Sequence, residues 1–97
     1  MGAIRLDTII SRRDDLLTQN LHGAVVMADL ETGEYYGLDS TAEHVWKLLE
    51  RSRTVSELCA HIQQSYAVDP VTCEADILNF LNDLLTRSLI RILPKLD

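Results

Sequence analysis

The chain has 97 residues, of which 46% are hydrophobic and 25% are charged. This length suits a single domain over residues 1–97, and this composition excludes a disordered chain, a collagen-like chain and a small disulfide-held scaffold. No apolar run approaches the ~18 residues that a membrane span needs, and residues 1–10 lack the long apolar segment of a signal peptide. We therefore expect a cytoplasmic protein without a membrane-spanning helix.

Acidic residues outnumber basic residues by 15 to 9, which gives a formal net charge of −6. Between Val55 and Thr86 the sequence has no Lys or Arg. An acidic surface repels phosphate backbones and anionic lipid, so we expect no nucleic acid and no membrane partner and favour a basic peptide or protein. The carboxylates in that stretch are Glu57, Asp69, Glu74, Asp76 and Asp83.

Three runs in the N-terminal part of the chain are typical of strands. Residues 3–10 alternate in polarity, and residues 24–30 and 34–39 are rich in β-prone side chains. The polar segment 31–33 predicts a hairpin turn with its glycine at positive φ, which makes the last two runs an antiparallel pair. Residues 11–20 match no pattern, and two interpretations stay open for them: an ordinary loop, or a docking segment for a partner enzyme.

Three further segments have the apolar periodicity of helices, and each begins beside a residue that can cap a helix. A short run at residues 89–93 alternates weakly and predicts one more strand. The predicted fold class is α+β, with an N-terminal three-stranded antiparallel sheet and a three-helix bundle that together are winged helix-turn-helix-like. The helices are residues 40–51, capped by Asp39, Ser40 or Thr41 and carrying a Ser40–Glu43 capping-box pattern; residues 55–66, with a Thr54–Glu57 capping box; and residues 70–88, with Asp69 as cap and Pro70 in the first turn.

The third predicted helix carries more apolar surface than one packed face requires, because its apolar side chains cover nearly half of the helical circle. One interpretation is a central helix that is packed on both flanks. The other is that one flank lines an open groove. Asp76 and Asp83 border Phe80 on that helix, so such a groove suits a peptide with apolar anchors and a nearby Lys or Arg.

The run 34–39 is the second candidate for a binding surface, because it lies at a sheet edge if the three predicted strands pair in sequence order. An exposed edge can accept a strand from another chain, and this run has neither Lys nor Pro to block it. Tyr35 and Tyr36 point to opposite faces, so one of them is expected to be exposed. The alternatives are an edge covered by residues 12–20 or by a second copy.

Catalytic and metal-binding patterns find little support in the sequence. There is no nucleophile elbow, no glycine-rich phosphate loop and no His-Glu-x-x-His. Cys59 and Cys73 have no ligand-spaced histidine, and both are expected to be buried thiols. We therefore expect no enzymatic activity, no metal and no cofactor. A winged-helix DNA-binding regulator is the alternative from another class, although its recognition helix would carry a single basic residue, Arg87.

Residues 33–49 read GEYYGLDSTAEHVWKLL, and this segment resembles the PqqD-like family, where a hairpin, a helix start and a tryptophan follow in fixed order. The segments 54–58, 66–68 and 76–90 extend the resemblance over most of the chain. This family comprises recognition elements for the precursors of ribosomally synthesised, modified peptides (RiPPs). The resemblance implies a non-catalytic domain that binds the leader of a precursor peptide as an added strand against the third strand, beside the third helix.

The third-strand version Tyr-Tyr-Gly-Leu-Asp is most similar to that of the discrete leader-binding proteins of lasso peptide clusters. Those proteins work with a leader peptidase of the transglutaminase-like cysteine protease type and with a macrolactam synthetase. The peptide chaperone of the pyrroloquinoline quinone (PQQ) pathway ranks second. The resemblance implies that the backbone of the third strand pairs with the leader, that Asp76 takes a basic side chain, and that apolar leader residues pack on the third helix; the implied peptide-binding residues are Glu34, Tyr35, Tyr36, Gly37, Leu38, Asp76, Ile77, Phe80, Leu81 and Leu84.

Overall fold

Six strands and three helices follow one another between residues 4 and 94, the part of the chain that the computed structural model describes. They confirm the predicted α+β class. In chain order the elements are β1 (Ile9–Arg12), β2 (Leu17–Leu21), β3 (Ala24–Asp29), β4 (Glu34–Leu38), α1 (Ser40–Leu48), β5 (Arg53–Thr54), α2 (Val55–Ser65), α3 (Pro70–Thr86) and β6 (Ile90–Leu93).

The strands form two three-stranded antiparallel sheets, one ordered β2-β3-β4 and the other β5-β1-β6. The predicted N-terminal sheet is therefore present, but its first strand is β2 and not residues 3–10. Strand β1 begins only at Ile9 and pairs with β5 and β6, which lie far along the chain. The interpretation of residues 11–20 as an ordinary loop is wrong, because this segment holds the end of β1 and most of β2. Every residue of β2 is exposed, so the strand leaves no alternation of polarity to detect.

Two tight turns set the register of the β2-β3-β4 sheet. His22 and Gly23 connect β2 to β3, and both have positive φ, as a two-residue hairpin turn requires. Gly33 ends the β3–β4 connection with φ of 75°, as predicted, and its N–H donates to the carbonyl of Asp29 over 2.8 Å. Strand β3 is central, so β4 lies at an edge of this sheet as expected.

Helix α1 begins at a single cap. The carboxylate of Asp39 accepts from the N–H of Ala42 over 2.8 Å, which confirms one of the three candidate caps. The predicted Ser40–Glu43 capping box is wrong. Ser40 is already helical, and Glu43 instead pairs with Lys47 one turn later, over 3.1 Å. The helix also ends at Leu48, earlier than predicted.

Helices α2 and α3 begin as predicted. Thr54 and Glu57 exchange side-chain and backbone hydrogen bonds of 3.1 Å, which is a capping box. Asp69 accepts from the N–H of Thr72, and Pro70 occupies the first helical turn. These local signals fix where both helices start.

One hydrophobic core fills the space between the helices and the two sheets. Trp46 belongs to it, with 4% of its surface exposed. The guanidinium of Arg12 lies over the Trp46 ring at 5.2 Å and donates to the Trp46 carbonyl over 2.7 Å, which attaches β1 to α1. The largest fully buried side chains are Ile10, Met27, Val45, Leu49, Val55, Leu58, Ile62, Leu81 and Leu89.

Candidate functional site

The edge strand β4 has an inner face that packs on the helices and an outer face that is open. Leu38 is buried and Tyr36 is half-buried on the inner face, whereas Tyr35 on the outer face is 73% exposed. This confirms that one of the two adjacent tyrosines is exposed. Gly37 also faces outward, and a Cβ added there would meet no atom within 4 Å.

The register shows which backbone groups of β4 are open. Leu21 and Ala24 face each other across the two-residue turn and form its hydrogen-bonded pair, so alternate residues of β3 bond in turn to β2 and to β4. Val25, Met27 and Asp29 therefore direct their N–H and C=O groups to β4, where they face Leu38, Tyr36 and Glu34. The remaining residues of β4, Tyr35 and Gly37, direct their N–H and C=O groups to the free edge. Two donors and two acceptors are thus available to an added strand.

Beneath the two ends of β4 lie two cavities that are connected by one face of α3. Asp76, Phe80, Asp83 and Arg87 share this face, because they are spaced by four, three and four residues. Asp76 and Phe80 line the first cavity, near the C-terminal end of β4, and Asp83 and Arg87 line the second cavity, near its N-terminal end. Strand β4 and helix α3 are therefore antiparallel neighbours across a cleft.

The first cavity, here called the apolar cavity, has a volume of about 310 Å³ and lies where α1, α2 and α3 meet. Asp39 and Asp76 place carboxylates beside it. The Asp39 carboxylate already accepts a hydrogen bond as the cap of α1. Within residues 4–94, no hydrogen bond or ion pair involves the exposed Asp76 carboxylate. The apolar lining consists of Ala42, Val45, Ile62, Val68, Cys73, Ile77 and Phe80.

The second cavity, here called the polar cavity, has a volume of about 410 Å³ and lies between the β3–β4 hairpin and the end of α3. Arg87 lies 5.1 Å from the Tyr36 ring centre and 3.1 Å from a carboxylate oxygen of Asp83. The Tyr36 hydroxyl donates to the Glu34 carboxylate over 2.5 Å. This bond to Glu34 raises the pKa of Tyr36, because the neighbouring negative charge disfavours the phenolate.

A buried carboxylate closes the inner end of the polar cavity. Asp29 is 3% exposed, and its carboxylate accepts from Arg13 over 3.0 Å and from the N–H of Glu31 over 3.1 Å. Burial by itself would raise the pKa of Asp29, but these hydrogen bonds outweigh burial and hold the pKa below its usual value. Arg13 also binds Asp15 over 2.7 Å, so it joins the β1–β2 connection to the β3–β4 hairpin.

The structure separates the predicted site residues into two groups. The residues of β4 lie at or behind the free edge, and Asp76, Ile77 and Phe80 line the apolar cavity. Leu81 and Leu84 are 0% and 2% exposed, belong to the core and line neither cavity. A helical projection contains both flanks of α3, but it does not tell which flank packs inward.

Arg87 is the residue of this cleft that sequence reasoning missed as a site residue. Its spacing of four from Asp83 was a readable signal for a helical ion pair. Its contact with Tyr36 was not readable, because 51 positions separate the two residues and only the tertiary fold brings them together. Within the described residues, Arg87 is the only basic residue that lines either cavity.

The two thiols of the chain, of which Cys73 lines the apolar cavity, are poor nucleophiles. Cys59 and Cys73 are buried and free, as predicted, and burial raises the pKa of Cys59 to about 11. Among residues 4–94, no group of three His, Cys, Asp or Glu side chains comes together as a metal-ligand set. None of the helices in that range has the length and apolar character to cross a membrane.

Comparisons with known proteins place this fold in a family. The family described as "Coenzyme PQQ synthesis protein D (PqqD)" matches residues 24–90. A structure described as "TbiB1 in Complex with the TbiA(beta) Leader Peptide" is 31% identical, covers 90% of this chain and 99% of its own, and superposes with a TM-score of 0.71. No curated protein sequence gives a significant match.

Two further solved structures have the same fold. The PqqD truncation of Methylobacterium extorquens PqqCD, described as a stand-alone RiPP recognition element, is 25% identical, with a TM-score of 0.76 over 92% of this chain and 95% of its own. Lasso peptide synthetase B1 complexed with a leader peptide is 22% identical, with a TM-score of 0.68 over 88% and 98%. The family match covers more than half of the residues, and the chain therefore belongs to the PqqD family.

Proposed function

We propose that this protein binds the leader region of a ribosomally synthesised precursor peptide and that the leader adds as a strand to the free edge of β4, beside α3. The observation that carries this proposal is the open edge of β4 beside the cleft that separates β4 from α3. The relative TbiB1, 31% identical, is described in complex with a leader peptide, which supports the same role for this chain. Such a role needs no catalytic group.

The edge defines how the leader is held. Tyr35 and Gly37 offer two N–H and two C=O groups, so an antiparallel leader segment forms up to four backbone hydrogen bonds. Alternate leader side chains then point to opposite faces. One set enters the cleft against α3, and the other set lies beside the exposed ring of Tyr35.

The cleft selects leader side chains by chemistry. The apolar cavity accepts an apolar anchor that packs on Phe80 and Ile77, which are respectively half-buried and buried. Asp76 is the one carboxylate beside this cavity that has no bonded partner among residues 4–94, and it receives a basic leader side chain near that anchor. Leu81 and Leu84 support this face from within the core and act on the leader only through Phe80 and Ile77.

We further propose that the leader belongs to a lasso peptide precursor and that this chain delivers it to a leader peptidase of the transglutaminase-like cysteine protease type. A macrolactam synthetase is the second candidate partner. The similarity of the segment Tyr-Tyr-Gly-Leu-Asp to the leader-binding proteins of lasso peptide clusters supports this assignment. TbiB1, described with a leader peptide, is also more similar in sequence than the PqqD truncation, 31% against 25%. The alternative within the family is a peptide chaperone of the PQQ pathway.

Fluorescence anisotropy of a labelled leader peptide tests the binding step. The peptide is taken from the precursor encoded beside the gene for this chain, and binding is measured at two salt concentrations. We expect saturable binding in the nanomolar to micromolar range with a modest salt effect, because the proposed contacts are backbone hydrogen bonds, an apolar anchor and a single exposed ion pair at Asp76. Absence of binding to every precursor encoded nearby, by protein shown to be folded, would contradict the proposal.

The charge preference has its own control. Asp76→Asn should weaken binding of a leader that carries Lys or Arg by roughly two- to fivefold at low salt, since an exposed ion pair contributes about 0.2–1 kcal/mol. Glu74→Gln removes a neighbouring carboxylate of α3 that lines neither cavity, and it should leave the affinity unchanged. Equal effects of the two variants would point to general electrostatics rather than to a defined contact.

The delivery step is tested by cleavage of the complete precursor with the candidate peptidase, with and without this chain. We expect faster cleavage in its presence, and no acceleration for a precursor whose leader no longer binds to β4. Equal cleavage rates with and without the chain would remove the peptidase from the list of partners while leaving leader binding intact.

A further inference from the structure

The β2-β3-β4 sheet has a second free edge, on β2, and this edge is exposed and uncharged. All five residues of β2 are exposed, including Leu17 at 45% and Leu21 at 49%. Residues 16–28 contain no Asp, Glu, Lys or Arg, in a chain of which 25% is charged. Natural edge strands are usually protected by charge or proline, and β2 has neither.

We propose that β2 pairs with β2 of a second copy of this chain, in an antiparallel arrangement around a two-fold axis at Gln19. Two copies of a protein with a net charge of −6 repel one another, so a self-contact is favoured only where the surface is uncharged. Residues 17–24, which are exposed and carry no Asp, Glu, Lys or Arg, are such a surface. The pairing would join two three-stranded sheets into one of six strands and leave both β4 edges free.

The backbone geometry of β2 fits this register. Leu17, Gln19 and Leu21 bond to β3, so Thr18 and Asn20 direct their N–H and C=O groups to the free edge. With the axis at Gln19, Thr18 of one copy faces Asn20 of the other, and the free donors meet the free acceptors in four hydrogen bonds. A shift of the register by one residue would place these groups opposite residues that are already bonded to β3.

The side chains of the sequence LTQNL also match themselves in this register. Leu17 faces Leu21 of the second copy, and this pair occurs twice, on either side of the Gln19 pair at the axis. All three pairs lie on the outer face of the sheet, where Leu17 and Leu21 are now exposed. An isologous contact of this kind is self-complementary, as a two-fold axis requires.

The expected dimer is weak, because a five-residue edge buries less than the ~1,200 Å² of a stable interface. Sedimentation velocity over a range of concentrations, up to about 1 mM, should therefore show reversible monomer–dimer exchange. Thr18→Pro removes an edge N–H without removing a bond to β3, so it should abolish the exchange. Its anisotropy with the leader should stay that of the wild type, because leader binding is proposed at β4.

Disulfide trapping tests the register directly. Gln19 residues of the two copies form a non-hydrogen-bonded pair, whose Cα atoms lie ~4.5 Å apart, within the range of a disulfide. Gln19→Cys should therefore crosslink on mild oxidation, whereas Leu21→Cys should not, since its two copies lie about 13 Å apart. Both native cysteines are buried and do not compete.

Three outcomes overturn the proposal. The first is a monomer at every concentration, and the second is equal crosslinking of Gln19→Cys and Leu21→Cys. The third is a wild-type monomer whose binding to a leader-processing enzyme is lost in Thr18→Pro, which would assign the β2 edge to that enzyme instead. None of these outcomes bears on leader binding, which the anisotropy measurement reports separately.

Discussion

The guanidinium of Arg87 lies 5.1 Å from the centre of the Tyr36 ring and thereby connects the end of α3 to the edge strand β4. Tyr36 is held from its other end by Glu34, through a hydroxyl-to-carboxylate bond of 2.5 Å. A cation–π contact of this kind contributes about 0.5–1 kcal/mol at an exposed site. Two contacts thus fix the one ring of β4 that projects into the cleft.

The titration of Tyr36 should report this arrangement. The bond to Glu34 raises the pKa of Tyr36 above its ordinary value of 10.0, so Glu34→Gln should lower it, and Arg87→Gln should raise it further. The pKa of Tyr36 is higher in the folded than in the unfolded state. The stability that the Tyr36–Glu34 bond contributes is therefore complete below pH 10 and is lost as the pH rises through the folded-state pKa. Absorbance titration at 295 nm checks the shift in a Tyr35→Phe, Tyr66→Phe background, where Tyr36 is the one remaining tyrosine. A Tyr36 pKa that does not change in Glu34→Gln would contradict the contact.

The free edge of β4 is tested at Gly37. Gly37→Pro removes an N–H at the free edge but no hydrogen bond to β3, so the fold should survive. Leader affinity should fall roughly tenfold, because one hydrogen bond to the leader is lost and the proline ring clashes with the added strand. Gly37→Ala is the matched control. It keeps the N–H and places its Cβ where no atom lies within 4 Å, so its affinity should equal that of the wild type. Equal losses in both variants, measured by anisotropy, would mean that the outer face rather than the backbone contacts the leader.

Asp29 should contribute to how the stability of the protein responds to acid. Its folded-state pKa lies below the ordinary value, so the stability that it contributes is present at neutral pH and is lost as the pH falls through that pKa. Arg13→Ala removes the main hydrogen-bond partner and leaves burial to raise the Asp29 pKa. Acid unfolding followed by circular dichroism should therefore begin at a higher pH in Arg13→Ala. Arg51→Ala, at an exposed position just after α1, serves as the control for loss of a positive charge away from Asp29.

The parts of the fold that could be predicted from the sequence are those encoded by neighbouring residues. The turn at Gly33, the capping box of Thr54 and Glu57, and the Asp69–Pro70 helix start each depend on a few adjacent positions. The second sheet could not be predicted, because β1 pairs with β6, some 80 positions away. The pattern of the four residues of β1 does not indicate which strand they pair with. Strand β2 was missed because exposure on both faces removes the polarity signal.

The candidate site divides in the same way. The sequence indicates that β4 is an unprotected edge and that α3 has an excess of apolar surface. It does not indicate which flank of α3 faces the edge, since Phe80 and Leu81 are both apolar neighbours on one helix. Packing decides between them: Phe80 lines the apolar cavity, and Leu81 is fully buried. The contact of Arg87 with Tyr36 is likewise a product of tertiary structure.

Adjacent residues of α3 should therefore respond differently to truncation. Phe80→Ala should weaken leader binding by about 1–3 kcal/mol, as expected for a central anchor, with a small loss of stability since the side chain is only half-buried. Leu81→Ala should lower the free energy of unfolding by about 2–5 kcal/mol, because it empties a fully buried site. The remaining folded fraction of Leu81→Ala should bind the leader with nearly unchanged affinity.

Urea unfolding combined with anisotropy separates the two effects, provided that affinity is calculated per folded molecule. Leu78→Ala is the matched control for Phe80→Ala, because Leu78 is also partly buried on α3 but lines neither cavity. It should lose stability without losing affinity. If instead Leu81→Ala lost affinity per folded molecule as strongly as Phe80→Ala, the leader would have to reach the inner flank of α3, which requires α3 to shift on binding. That result would replace a preformed cleft with one opened by the peptide.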